Sequence, residues 1–272
     1  MEYSIAFRPA KQEEDDLLSR ILANAFLPLW NHNWFHGVSE PLDPVTIGNF
    51  GSTPPPMTRH QNSRIRFYRS LIRLVRLLDG PVMVAEVSAS ENANDTAKEI
   101  GAVLLWLPPS KRLGPFDVLK LWQSGLLSLT LPWHYGPTGL YRIEMVFESN
   151  IQSMWAKTLP DLPPNGWKEQ DCGFVQMLAS NPKYAGKRFA SALLKDQIEQ
   201  HFAQYPDRPV ILDTTTLQGI RAYEKLGFKL LSETPVNTKT DAKGIRLKAD
   251  ASEEVKRQAR ETCIQRVMVK LP

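Results

Sequence analysis

Residues 171–228 constrain the fold more than any other part of the chain. DCGFVQMLAS at 171–180 is an apolar run stopped by Asn181-Pro182, the pattern of a buried strand. The stretch at 185–205 carries Phe189, Leu193, Leu194, Ile198 and Phe202 at helical spacing. RPVILDTTT at 208–216 is again a buried strand, and GIRAYEKLGF at 219–228 is a short helix closed by a Gly-Phe turn. Strand, helix, strand and helix in immediate succession must bury their apolar faces as helices layered on a sheet.

The flanking segments extend that layer. YSIAFR at 3–8 alternates as a short strand, and the acidic start of 13–26 suits the positive end of a helix. The aromatic stretch LWNHNWFHG follows, and residues 40–60 hold five prolines, which reads as loop. A helix is predicted from Asn62 to Leu78, with Ile65, Tyr68, Ile72 and Val75 on one side and Arg66, Arg69, Arg73 and Arg76 on another. That basic side is either a solvated face or an electrostatic funnel for an anion. PVMVAEV at 81–87 and EIGAVLLWLP at 99–108 are strong strands around a polar loop at 91–98, and 109–164 is mostly helical. FKLLSET from Phe228 continues as a strand, 236–260 is polar and peripheral, and CIQRVMVKL at 263–271 alternates and closes the sheet. The expected fold is α/β: a mixed, largely antiparallel central sheet with helices on both faces, in one domain spanning 1–272.

Composition excludes several classes. With 42% hydrophobic and 23% charged residues, the chain can bury a core without disulfide staples. A net charge of +4 mildly favours anionic ligands and makes no case for nucleic acid. Cys172 and Cys263 form no CxxC pair and are expected as buried thiols in a reducing compartment. No apolar run approaches the ~20 residues of a membrane span. The first residues lack a signal or transit pattern, so the expected location is the cytoplasm.

Two local patterns point to chemistry. In Asn181-Pro182-Lys183-Tyr184-Ala185-Gly186-Lys187-Arg188-Phe189-Ala190, Gly186 allows a tight turn just before a helix. The first helical turn exposes unpaired amides, which with the helix dipole form an anion site of the kind a pyrophosphate fits. Neither GxGxxG nor a P-loop is present. The second pattern is Thr216-Leu217-Gln218-Gly219-Ile220-Arg221-Ala222-Tyr223-Glu224-Lys225-Leu226-Gly227-Phe228.

Together these units resemble the Gcn5-related N-acetyltransferase superfamily. Its x-x-P-x-x-Q-G-x-G-x-G/A loop binds the CoA pyrophosphate, and its Asn-x-x-Ala-x-x-Leu-Tyr-x-x-x-Gly-Phe segment packs on the pantetheine arm. The resemblance covers 171–230 and implies acetyl-CoA as cofactor, a primary amine of a small molecule or protein as acceptor, and a monomer or homodimer. It places Met177, Leu178 and Ala179 along the pantetheine arm and Tyr184 through Ala190 around the pyrophosphate: Tyr184, Ala185, Gly186, Lys187, Arg188, Phe189 and Ala190. Thr216 and Tyr223 complete the cofactor side. The amide of Met177 or Leu178 would stabilise oxyanion charge, and the Tyr223 phenol would protonate the departing thiolate.

The chain departs from the pattern at four positions. Ala185 replaces Gln or Arg, and Arg188 replaces the second glycine, where arginine is expected in right-handed dihedrals without strain. Thr216 and Gly219 stand for Asn and Ala. The long segments at 40–60 and 109–168 are similar to pocket-shaping insertions in fungal members. Candidate bases are Glu144 and Glu148, four apart and hence on one helix face, with Asp213 a weaker third. His32 and His36 share that spacing, but no third ligand accompanies them and no metal is expected. His134 is a candidate acceptor-site residue, and Trp30, Trp34, Phe35, Trp133 and Tyr135 line either the core or an apolar acceptor pocket. Competing readings are O-acylation or decarboxylation on an acyl-CoA or acyl carrier, and a non-catalytic binding protein on the same fold.

Overall fold

The computed structural model describes residues 3–48, 56–89, 98–114, 117–164, 166–248 and 250–272. Nearly all of the loop expected at 91–98, and 49–55 of the proline-rich stretch, lie outside them. The strands are β1 (Tyr3–Pro9), β2 (Val82–Ala89), β3 (Glu99–Leu107), β4 (Gly173–Ser180), β5 (Val210–Thr214), β6 (Lys229–Pro235) and β7 (Ile264–Lys270). They form one sheet in the order β1-β2-β3-β4-β5-β7-β6. Every pairing is antiparallel except β4 with β5. The 263–271 strand therefore does not close the sheet. It lies between β5 and β6, where its run Gln265–Val269 is buried, and the more polar β6 takes the edge, where unpaired backbone meets water.

The helices are α1 (Asp15–Ala25), α2 (Trp30–His36), α3 (Arg59–Leu77), α4 (Val118–Ser124), α5 (Gly136–Leu140), α6 (Ser149–Thr158), α7 (Phe189–Gln204), α8 (Leu217–Glu224) and α9 (Glu253–Thr262), with a π-helical stretch over Tyr141–Glu148. On one face of the sheet Leu18, Ile21 and Leu22 of α1 and Tyr68, Ile72 and Val75 of α3 pack with Val84, Val103 and Leu105. On the other, Leu193, Leu194 and Ile198 of α7 pack with Ala102, Leu104 and Trp106. Alternate residues of β3 thus serve opposite cores, which is why that strand is apolar throughout rather than alternating.

Three segments take definite form only in the structure. The aromatic stretch after Pro28 is helical as α2, because Trp30, Trp34 and Phe35 all bury on one core. The polar segment at 236–260 contributes all but the last two residues of α9, which Ser252 caps by accepting from the Val255 amide; its acidic first turn suits the helix dipole. The basic side of α3 is largely tied to protein: Arg69 pairs with Asp16, Arg76 with Asp15 at 2.9 Å, and Arg66 donates to Ser128 Oγ at 2.6 Å. These are structural pairs between helices, and none of the four arginines lines the cavity described below.

Candidate active site

The site is built where β4 and β5 separate. They pair only at Gly173–Val210 and Phe174–Ile211. On its other side β4 faces β3 with Met177 opposite Leu105 and Val175 opposite Trp106, leaving Gln176 as an extra residue. Such a bulge bends its strand and increases the twist. It also breaks the alternation of side chains: Val175 packs with the α7 core, while Met177, two residues on, packs against the α1–α3 core.

Beyond the strand the chain enters the loop at 181–188. Asn181 holds it by donating to the Ile100 carbonyl at 2.8 Å and accepting from the Lys183 amide at 3.1 Å. Gly186 has φ +81°, and a Cβ there would meet nothing within 4 Å, so the backbone is left uncovered. Arg188 does not adopt the right-handed dihedrals expected of it. It caps α7 in the left-handed region, at φ 63° and ψ 16°, so the geometry of a glycine is kept by a residue that is strained in it. The helix begins at Phe189, four residues later than its periodicity implies, because this loop must reverse first. The amides of Arg188, Phe189, Ala190 and Ser191 donate to no acceptor among the described residues. That row of free donors at a helix start could hold an anion.

A cavity of about 1070 Å³ runs from this loop through the gap between β4 and β5 and on beneath α3 and the π-helical stretch. Of the residues expected at a cofactor, Met177, Leu178, Ala179, Ala185, Gly186, Arg188, Ala190, Thr216 and Tyr223 line it. Tyr184, Lys187 and Phe189 do not. Tyr184 turns into the sheet and donates to Glu99 at 3.0 Å, Phe189 packs beneath it against Tyr3, and the Lys187 ammonium lies 5.7 Å from the Tyr3 ring. Two bulky rings at 184 and 189 find apolar partners only on the side away from the open loop.

Thr216 caps α8 by accepting from the Gly219 amide at 2.9 Å. A Cβ at Gly219 would fall 2.5 Å from Thr214 Oγ1, which accounts for glycine in place of alanine. The cap aims α8 so that Tyr223 lines the gap, its ring edge-on to Phe228. Burial pushes the Tyr223 phenol well above its ordinary range, with Asp213 adding to the shift, so it remains protonated.

Glu144 and Glu148 both reach the cavity from the π-helical stretch, where residues four apart share a side. Glu144 is exposed at the wall, and its pKa is raised by loss of solvation. Burial pushes the Glu148 carboxyl up to about 8, with Asp213, Glu144 and Glu169 adding repulsion and Arg112 opposing it. Asp213, at the open end of β5, is pushed up to about 6, again chiefly by burial. Arg112 was not anticipated. Its guanidinium stacks 3.9 Å over Phe174, and burial lowers its pKa to about 10. Nothing in its local sequence, Ser-Lys-Arg-Leu-Gly, distinguishes it from a surface arginine.

The other candidates divide between the cavity wall, where His32 lies, and the rest of the protein. The buried His32 ring meets the Tyr68 hydroxyl at 3.1 Å, and burial lowers its pKa to about 3. No group of three or more metal-ligating side chains occurs among the described residues. His134 meets Ser63 Oγ at 3.0 Å and is absent from the cavity wall. Trp30 and Trp34 are core residues, Trp133 is exposed, and Phe35 and Tyr135 do line the cavity. Cys172 and Cys263 are free and buried. No helix among the described residues is long and apolar enough to cross a membrane.

The splayed parallel pair, the glycine-opened loop and the helix behind it define an acetyltransferase fold of the Gcn5-related type. The chain is similar to the mosquito arylalkylamine N-acetyltransferase like 5b over 99% of its length and 100% of that chain, at 19% identity and TM-score 0.52. It is similar to arylalkylamine N-acetyltransferase 2 from Aedes aegypti over 98% of its length and 99% of that chain, at 14% identity and TM-score 0.53. No family model and no curated protein matches the sequence, so the likeness is one of fold.

Proposed function

We propose that the chain is an acetyl-CoA-dependent N-acetyltransferase acting on a primary amine. The observation that carries this reading is a single cavity joining the free amides at the start of α7 to Tyr223, Asp213 and Glu148 through the β4–β5 gap. The residues present suit the cofactor: uncovered backbone at Gly186, four unpaired amides for phosphate oxygens, and a strand edge without a ladder partner for an extended amide-bearing arm. When bound, acetyl-CoA supplies the acetyl group as a thioester, and a nitrogen–carbon bond forms as its carbon–sulfur bond breaks.

The protein's own groups handle the charges. The Met177 or Leu178 amide, fixed beside the bulge, donates to the oxygen that gains charge. Glu148 as carboxylate takes one proton from the ammonium, and its raised pKa matches that task near neutral pH. Tyr223 gives its proton to the departing sulfur and regains one as the nitrogen sheds its second. The Arg112 guanidinium opposes the rise of the Glu148 and Asp213 carboxyls. The segment 109–168, which supplies Arg112, Glu144 and Glu148, shapes the acceptor side.

Calorimetric titration with acetyl-CoA tests the reading. Binding at micromolar concentration is expected, weakened at least tenfold by Gly186→Ala, because alanine at φ +81° must shift the backbone that faces the phosphates. A folded sample that binds neither acetyl-CoA nor CoA overturns it.

A further inference from the structure

Beyond Glu148 the same cavity changes character. Its wall becomes Leu71, Leu74 and Leu78 of α3 and its C-terminal cap, Leu107 at the end of β3, and Leu126 and Leu129 in the turn after α4. α3 packs against both α4 and that turn, so these leucines converge on one chamber rather than lining separate dents. The throat and the chamber meet at Phe174, which pairs in register with Leu107 and lies under the Arg112 guanidinium. The acidic residues on the wall are Glu144, Glu148, Glu169 and Asp213, and among the described residues α3, α4 and the turn add none.

A chamber of this kind rewards apolar surface removed from water, and its leucines offer no partner to a second cation. Carboxylates at one end and leucines at the other are the complement of a molecule that is charged at one end only. Resting on the acetyltransferase reading, we infer that the acceptor is a primary amine with one cationic end and an extended apolar tail. The nitrogen lies between Glu148 and Asp213, on the far side of Tyr223 from the phosphate cradle, and the tail fills the leucine chamber. Polyamines and amino sugars suit the chamber poorly, because each would set a second charge or several hydroxyls against leucine side chains that cannot pair them.

The test is a homologous series from ethylamine through butylamine and hexylamine to octylamine, with spermidine and glucosamine beside it. Binding is measured by calorimetry on protein saturated with CoA, and kcat/KM is measured with acetyl-CoA. Affinity and kcat/KM are expected to rise about fourfold per methylene, the figure for burying a CH₂, with spermidine and glucosamine no better than ethylamine. Leu126→Trp, which fills the chamber from a half-buried position, should cut the octylamine-to-ethylamine ratio at least tenfold. A flat or falling series on protein that binds acetyl-CoA overturns this inference alone. So does a rate that climbs with acyl-chain length of the CoA ester instead of amine length, since the chamber would then hold the acyl group. Failure of a folded sample to bind acetyl-CoA at all overturns the acetyltransferase reading and this inference with it.

Discussion

Replacing Glu148 by Gln should make the protein more stable at alkaline pH and less active at every pH. The carboxyl is pushed from its ordinary 4.5 to about 8, mainly by burial. At about 1.4 kcal/mol per pH unit, ionising it in the folded protein costs about 5 kcal/mol more than in the unfolded chain. The sign follows from proton binding. Between pH 4.5 and about 8 the folded state holds the proton that the unfolded state has lost, so stability falls as pH rises through that window and levels off above it. Asp213, raised from 3.8 to about 6, adds a loss of the same sign between those values. A glutamine at 148 keeps the shape and cannot ionise, so the variant should keep only the part of the slope that belongs to Asp213. Melting temperature measured from pH 5 to 9 should then decline less for the variant, and the two curves should be furthest apart above pH 8. In the same samples wild-type kcat/KM should rise towards pH 8 as the base ionises, and the variant should be slower by about 10² to 10⁴, the usual worth of general-base catalysis, with that ionisation missing from its profile. Parallel melting curves together with an unchanged pH–rate profile would refute the placement of Glu148 as a half-buried base with a raised pKa.

Tyr223→Phe should lower kcat by about 10² while acetyl-CoA affinity by calorimetry stays within about twofold, as a role confined to the transition state requires. A parallel loss of affinity would mark the tyrosine as packing instead. Arg188→Gly should raise the melting temperature of the free protein, since releasing a left-handed non-glycine residue is worth about 1 kcal/mol, yet weaken acetyl-CoA binding if the guanidinium also meets phosphate; isothermal titration and thermal melting on one preparation separate the two. Leu193→Ala, at a fully buried position between α7 and the sheet, should cost about 2–5 kcal/mol in denaturant unfolding, and a value under about 1 kcal/mol would argue against the packing described.

Most of the strands and helices, the two-sided core and the open loop before α7 were legible in the sequence, because each rests on local rules. Apolar periodicity marks which face of α3 or α7 is buried, a glycine ahead of a helix marks the opened loop, and Tyr223 with Gly227-Phe228 is a recognisable string. The tertiary structure decided the rest. Arg188 takes a glycine's conformation because Tyr184 and Phe189, on either side of it, are drawn into the core and leave the backbone between them one way to turn. Val175 and Met177 part to opposite faces because a bulge opposite Leu105 and Trp106 inserts one residue, an event of strand pairing that alternation along one strand cannot reveal. Glu148 and Asp213 acquire raised pKa values, and Arg112 its place over Phe174, only when segments more than 60 residues apart in sequence converge and exclude water. A carboxylate's chemistry is set by the dielectric and the charges around it, and those neighbours come from the fold, not from the adjoining residues.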